Sequence, residues 1–158
     1  MKAASLVLIR KELETCTHQR VIELALKLTR FKTENKELIS FLLFDSDDVN
    51  AYVREVKTEI MLILEDINMN NMYLAKKSVR KMLKLITKYS RYTGIKETEV
   101  DLLIFFCKSL RKSGLPVSHV KSLSSIYYRQ IEKLDKLVHH LHEDLQFDYN
   151  EEIKLLKM

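Results

Sequence analysis

Glycine and proline are almost absent from this chain. Two glycines and one proline serve 158 residues. Glycine supplies positive φ and proline presets a turn, so architectures with many tight corners need both repeatedly. A β-sandwich, a barrel, a Rossmann fold and a P-loop are excluded on that ground. Neither GxGxxG nor GxxxxGK[ST] is present, and two glycines cannot supply the first. Cysteine is scarce as well. Cys16 and Cys107 are the only two, too few for a cysteine-built zinc site. Each lies in or beside a helical apolar pattern, which reads as two reduced thiols of a cytoplasmic protein. No apolar run approaches the ~18 residues of a membrane span. The opening Met1 to Ile9 has a faint signal-peptide character. Arg10, Lys11 and Glu12 interrupt it with no small-residue cleavage site beyond, so it reads as a first helix.

What is present is a core and a helical period. Hydrophobic residues make up 46% of the chain and charged residues 31%, which disfavours disorder. The apolar spacing is helical throughout. It predicts helices from about Lys2 to Glu14, from a cap at Thr15 or Thr17 to Phe31, and from a cap at Thr33 to Phe44. Asp45 to Asp48 open a fourth, reaching Ile67, and Asn68 to Asn71 form a turn. A fifth helix runs to about Tyr92, with Gly94 as its left-handed cap, and a sixth runs from Lys96 to Ser113. The seventh is expected over Val117 to Leu145, and a short last one begins near Asp148 to Asn150. The reading is a single all-α domain over 1–158, seven to eight helices in antiparallel αα-hairpins, as a bundle or short superhelix. Any seam is expected near Asn68 to Asn71 or at Gly114.

Three stretches carry a resemblance. They are Arg10-Lys11-Glu12-Leu13 with Val21-Ile22-Glu23-Leu24 and Glu34-Asn35-Lys36-Glu37-Leu38, then Leu74 through Lys81, then Ser125-Ile126-Tyr127-Tyr128 leading to His142-Glu143-Asp144-Leu145. Together they resemble an uncharacterised family of small all-helical bacterial proteins. The resemblance implies an all-α cytosolic bacterial protein and assigns no active-site residue or partner.

Charge is concentrated in the fifth helix. Lys76, Lys77, Arg80, Lys81, Lys84, Lys88 and Arg91 occur there without an acid. At about 100° per residue they share one arc of roughly 140°. The chain's net charge is +5, so without these seven the remainder nets −2. Such a stripe can track phosphates without sequence preference. The competing expectation is a solvated face, neutralised by Asp45, Asp47, Asp48, Glu55, Glu59, Glu65 and Asp66 of the stretch before it. A basic amphipathic helix also suits a membrane surface or an acidic protein. A helix-turn-helix would point Glu97, Glu99 and Asp101 at phosphates, which rejects it.

His139, His142 and Glu143 stand at i, i+3 and i+4, a spacing at which imidazole and carboxylate hold zinc or iron on a helix. HExxH and Glu-x-x-His are both missing. No GxSxG elbow exists, and Cys107 follows Leu103-Ile104-Phe105-Phe106 as a core residue. Tyr89, Tyr92, Tyr127 and Tyr128 invite either base stacking or half-buried packing. Leu43, Phe44, Leu62, Phe105 and Phe106 widen or break their helices' apolar faces, which means deep burial or a partner surface. No catalytic residue, cofactor or resident metal is expected. The leading expectation is a non-catalytic protein-interaction or scaffold domain. The alternative is sequence-independent nucleic-acid binding along the helix around residues 72–92.

Overall fold

The computed structural model describes residues 2–157. It is all-helical among these residues, with eight α-helices and no strand. The chain divides into two compact units, Met1–Asp45 and Ser46–Met158. The seam therefore lies at Asp45–Ser46, not at Asn68 to Asn71 or Gly114. No glycine, proline or change of composition marks it.

The first unit contains α1 (Leu6–Thr15), α2 (His18–Phe31), α3 (Thr33–Ser40) and a π-helical turn, Phe41–Asp45. Ser5 caps α1 by accepting the Leu8 N–H, and Thr17 caps α2 by accepting the Arg20 N–H. Thr33 does not cap α3. It is the first helical residue, and Lys32 holds the extended cap position without a side-chain bond. The Asn35 amide instead braces the corner by donating to the Leu28 carbonyl at 2.8 Å. α2 packs on α3. Among the described residues of this unit, Phe41 is the one buried hydrophobic side chain.

The second unit contains a 3₁₀ turn, Ser46–Asp48, then α4 (Val49–Glu65), α5 (Met72–Thr93), α6 (Lys96–Lys112), α7 (Lys121–Val138) and α8 (Glu143–Lys157). Its organising element is α6, which packs against α4, α5, α7 and α8. The sequence explains why. Val100, Leu102, Leu103, Ile104, Phe106, Cys107 and Leu110 spread over about 200° of the helix, and all are buried. An apolar side this wide cannot be covered by a single neighbour, and only the arc of Glu97, Asp101, Lys108 and Lys112 is polar. The other four helices each offer one apolar stripe. α5, for example, buries Ala75, Val79, Met82 and Ile86 at 4-3-4 spacing. The result is a five-helix bundle around α6.

The corners follow local chemistry. Asp48 caps α4 at the Ala51 N–H, and Asn71 caps α5 by accepting from Tyr73 and Leu74. Gly94 ends α5 at φ +66° and Gly114 follows α6 at φ +79°, left-handed conformations that favour glycine.

The seventh helix is shorter than its apolar pattern predicts. It begins at Lys121 and stops at Val138. Residues 139–142 turn, and α8 starts at Glu143, ahead of the expected Asp148. Two bonds stabilise this break. The Gln146 amide donates to the His139 and Leu141 carbonyls, which would be orphaned at the end of α7. Leu141 remains buried within the turn, so its place in the 4-3 pattern misleads.

Candidate functional site

The seven basic residues of α5 sit on its outward side. The buried stripe of Ala75, Val79, Met82 and Ile86 centres about 160° around the helix from the middle of the basic arc. The cationic ends therefore project away from α4 and α6, the two helices that flank α5. This geometry decides the neutralisation question. Among the described residues, no ion pair reaches Lys76, Lys77, Arg80, Lys81, Lys84 or Arg91.

The acids expected to neutralise them are engaged elsewhere or face solvent. Asp48 caps its own helix. Glu59 lies beside Tyr89, whose hydroxyl is shifted upward by burial first and by the Glu59 charge second. Glu55, Glu65 and Asp66 are exposed. α4's one described bridge to the hub joins Lys57 to Asp101 at 2.6 Å. Lys88 differs from the other six in touching an aromatic ring. Its ammonium sits 4.4 Å from the Tyr89 ring centroid.

The structure also sorts the tyrosines. Tyr52, Tyr89 and Tyr92 form an edge-to-face cluster with 6.0 Å between successive centroids. Tyr127 is buried and its hydroxyl donates to the Leu156 carbonyl at 2.9 Å. These are packing residues. Tyr73 is the tyrosine that belongs to the basic face. It is 72% exposed and lines an open depression with Lys77, Arg80, Lys81 and Lys84. Sequence reasoning passed over it, although its position falls at the middle of the arc when the 100° wheel is extended to the first turn.

The histidine cluster is not assembled. The end of α7 at Val138 removes the continuous helix on which His139, His142 and Glu143 would share a face. All three are exposed. His139 stacks loosely on His140, and His142 Nδ1 lies 3.3 Å from Asp144. No group of three metal-ligating side chains occurs among the described residues. Cys107 is buried, and burial pushes its thiol up to about 12, which leaves it protonated and inert. The helix-turn-helix geometry fails for a second reason: α6 is enclosed by the bundle, and Glu99 pairs with Lys133 of α7.

The other candidate surface is apolar and belongs to the first unit. Leu6, Val7, Leu28, Phe31, Leu43 and Phe44 are all more than 60% exposed. A groove between α1 and α2 is lined by Leu8, Ile9, Leu13, Cys16 and Leu24, with Glu12 as its one charged residue. Of the residues that widened their helices' faces, Phe106 is core, and Leu43, Phe44 and Leu62 are exposed. Phe105 is half-buried beneath the Lys57 ammonium, 5.5 Å from its ring centroid.

No known family model, curated protein or solved structure matches the chain. No helix is long and apolar enough to cross a membrane among the described residues.

Proposed function

We propose that the protein is a non-catalytic interaction domain, in which α1 to α3 receive an apolar helical surface of another protein. One observation carries this reading. Between Leu6 and Phe44 one hydrophobic side chain is buried, while fourteen large ones are exposed. Helices this short are marginal in water unless an apolar face is packed. A contiguous apolar surface on a folded chain marks a contact with something else. The groove between α1 and α2 suits a helix, because a third amphipathic helix laid along a pair completes the packing that two helices leave open. Its apolar lining would contribute affinity, and Glu12 would fix orientation by meeting a basic partner residue.

The test places a photo-crosslinking residue at Ile9, in the groove, and at Leu155, which is exposed on α8. Irradiation in cells should give one discrete adduct from position 9, mapping to an amphipathic helix, and none from position 155. Equal labelling at both sites, or no adduct from position 9, refutes the reading. Light scattering on the purified chain identifies the case in which the partner helix belongs to a second copy.

A further inference from the structure

We propose that the outward face of α5 binds the phosphodiester backbone of single-stranded nucleic acid, without sequence preference, with Tyr73 stacking on a base. The inference is independent of the apolar surface of the first unit.

Like charges gathered on one face repel each other, so an unpaired stripe costs stability unless an anion meets it. Here six cations on one face lack a carboxylate, in a chain with 22 acidic residues to provide one. Lys76 to Arg91 covers fifteen helical steps, or about 22 Å. At ~3.4 Å per nucleotide, the spacing of a strand that keeps its bases stacked, that length matches about six phosphates. Four of the cations, Lys77, Arg80, Lys81 and Lys84, succeed one another at helical spacing, so they form a track rather than a point site. Tyr73 lies at the N-terminal end of the same track with its ring exposed. Aromatic faces accept any base, which suits binding without sequence readout.

Two other polyanions fit less well. An amphipathic helix that lies in a membrane surface buries its apolar face in lipid. The apolar face of α5 is already inside the bundle, with Ala75, Val79, Met82 and Ile86 all at 0% exposure. A duplex read through its major groove needs a helix that can enter the groove. α5 packs between α4 and α6, which leaves only its outer edge for contact.

The experiment is fluorescence anisotropy with a labelled 20-nucleotide single strand of mixed sequence, as RNA and as DNA, titrated with the full chain. The matched duplex and vesicles of zwitterionic lipid with one-fifth phosphatidylserine are run in parallel. Single strands should bind at 50 mM salt. Six neutralised phosphates predict a slope of log K against log salt of about −4, so affinity falls roughly 300-fold between 50 and 200 mM. The triple variant Arg80→Glu, Lys81→Glu, Lys84→Glu should abolish binding, and the Gln versions of the same three should weaken it. Tyr73→Ala should lower single-strand affinity about tenfold. The control, Lys112→Glu, Arg129→Glu, Lys136→Glu, makes the same charge change at exposed positions of α6 and α7 and should retain binding. Circular dichroism confirms that each variant is folded. No binding at 50 mM salt, equal loss in the control, or tighter binding to the duplex or the vesicles overturns the proposal.

Discussion

Replacing Tyr127 with Phe tests how α8 is held on the bundle. Tyr127 lies on α7 with its hydroxyl buried against the C-terminal turn of α8, where it donates to the Leu156 carbonyl at 2.9 Å. That carbonyl is one of the last four of α8 and has no intrahelical donor. The neighbouring Leu155 carbonyl is taken by the Arg111 guanidinium at 2.7 Å, so two side chains tie the end of α8 to α6 and α7. Phe fills the same space without the hydroxyl, so packing is retained and one buried acceptor is left unpaired. The cost is about 1–2 kcal/mol. For a unit of this size, that lowers Tm by about 3–8 °C. The pH dependence provides a second readout. Burial, the dominant cause, pushes the Tyr127 phenol up to about 12 from an ordinary value near 10, against the opposing influence of Arg111. The fold therefore favours the protonated phenol. Its contribution is fully present below pH 10 and disappears as pH rises through about 12. The wild type should lose stability across that window, and Tyr127→Phe should lose less. Cys107, Tyr89 and Tyr149, also shifted upward mainly by burial, account for the slope that remains. Thermal unfolding by far-ultraviolet circular dichroism at pH 8 and pH 11 measures both effects. An unchanged Tm at pH 8 with an identical alkaline slope would refute this account of α8 docking.

Three further outcomes follow from the packing. Leu134 is fully buried at the α7 seam, so Leu134→Ala should cost about 2–5 kcal/mol in urea unfolding, whereas Leu155→Ala, 63% exposed, should stay within ~0.5. Gly94→Ala should cost about 1 kcal/mol through its backbone alone, since φ is +66° and no atom lies within 4 Å of the added Cβ. A loss near zero would show that the α5–α6 corner relaxes. Iodoacetamide at pH 8.5 should modify half-buried Cys16 in the folded chain and reach Cys107 only in denaturant, giving one adduct and then two by mass spectrometry.

Much of the architecture follows from local chemistry. The scarcity of glycine and proline excluded turn-rich folds, and the apolar period returned helices at nearly every expected place. Asn71, Asp48 and Gly94 act as the caps their residue types suggest. The misreadings have local causes too. Leu141 continues the α7 period, yet it is buried by a turn that a side chain five residues on, Gln146, stabilises by donating to the Leu141 carbonyl. That turn also dismantles the histidine cluster, since i, i+3 and i+4 share a face only on an unbroken helix.

The amino-acid sequence alone determined that the chain is helical and that α5 carries seven bases on one arc, because both depend on periodicity along one helix. Tertiary structure decided what lies beside that arc. The bases lie on the side away from the core, and no acid of the flanking helices pairs with six of them. Tertiary structure also distinguished Phe106, enclosed in the hub helix, from Phe44, left exposed in a unit that buries one hydrophobic side chain. Both phenylalanines belong to apolar runs. Burial depends on which other helices arrive, and that information is not contained in the run itself.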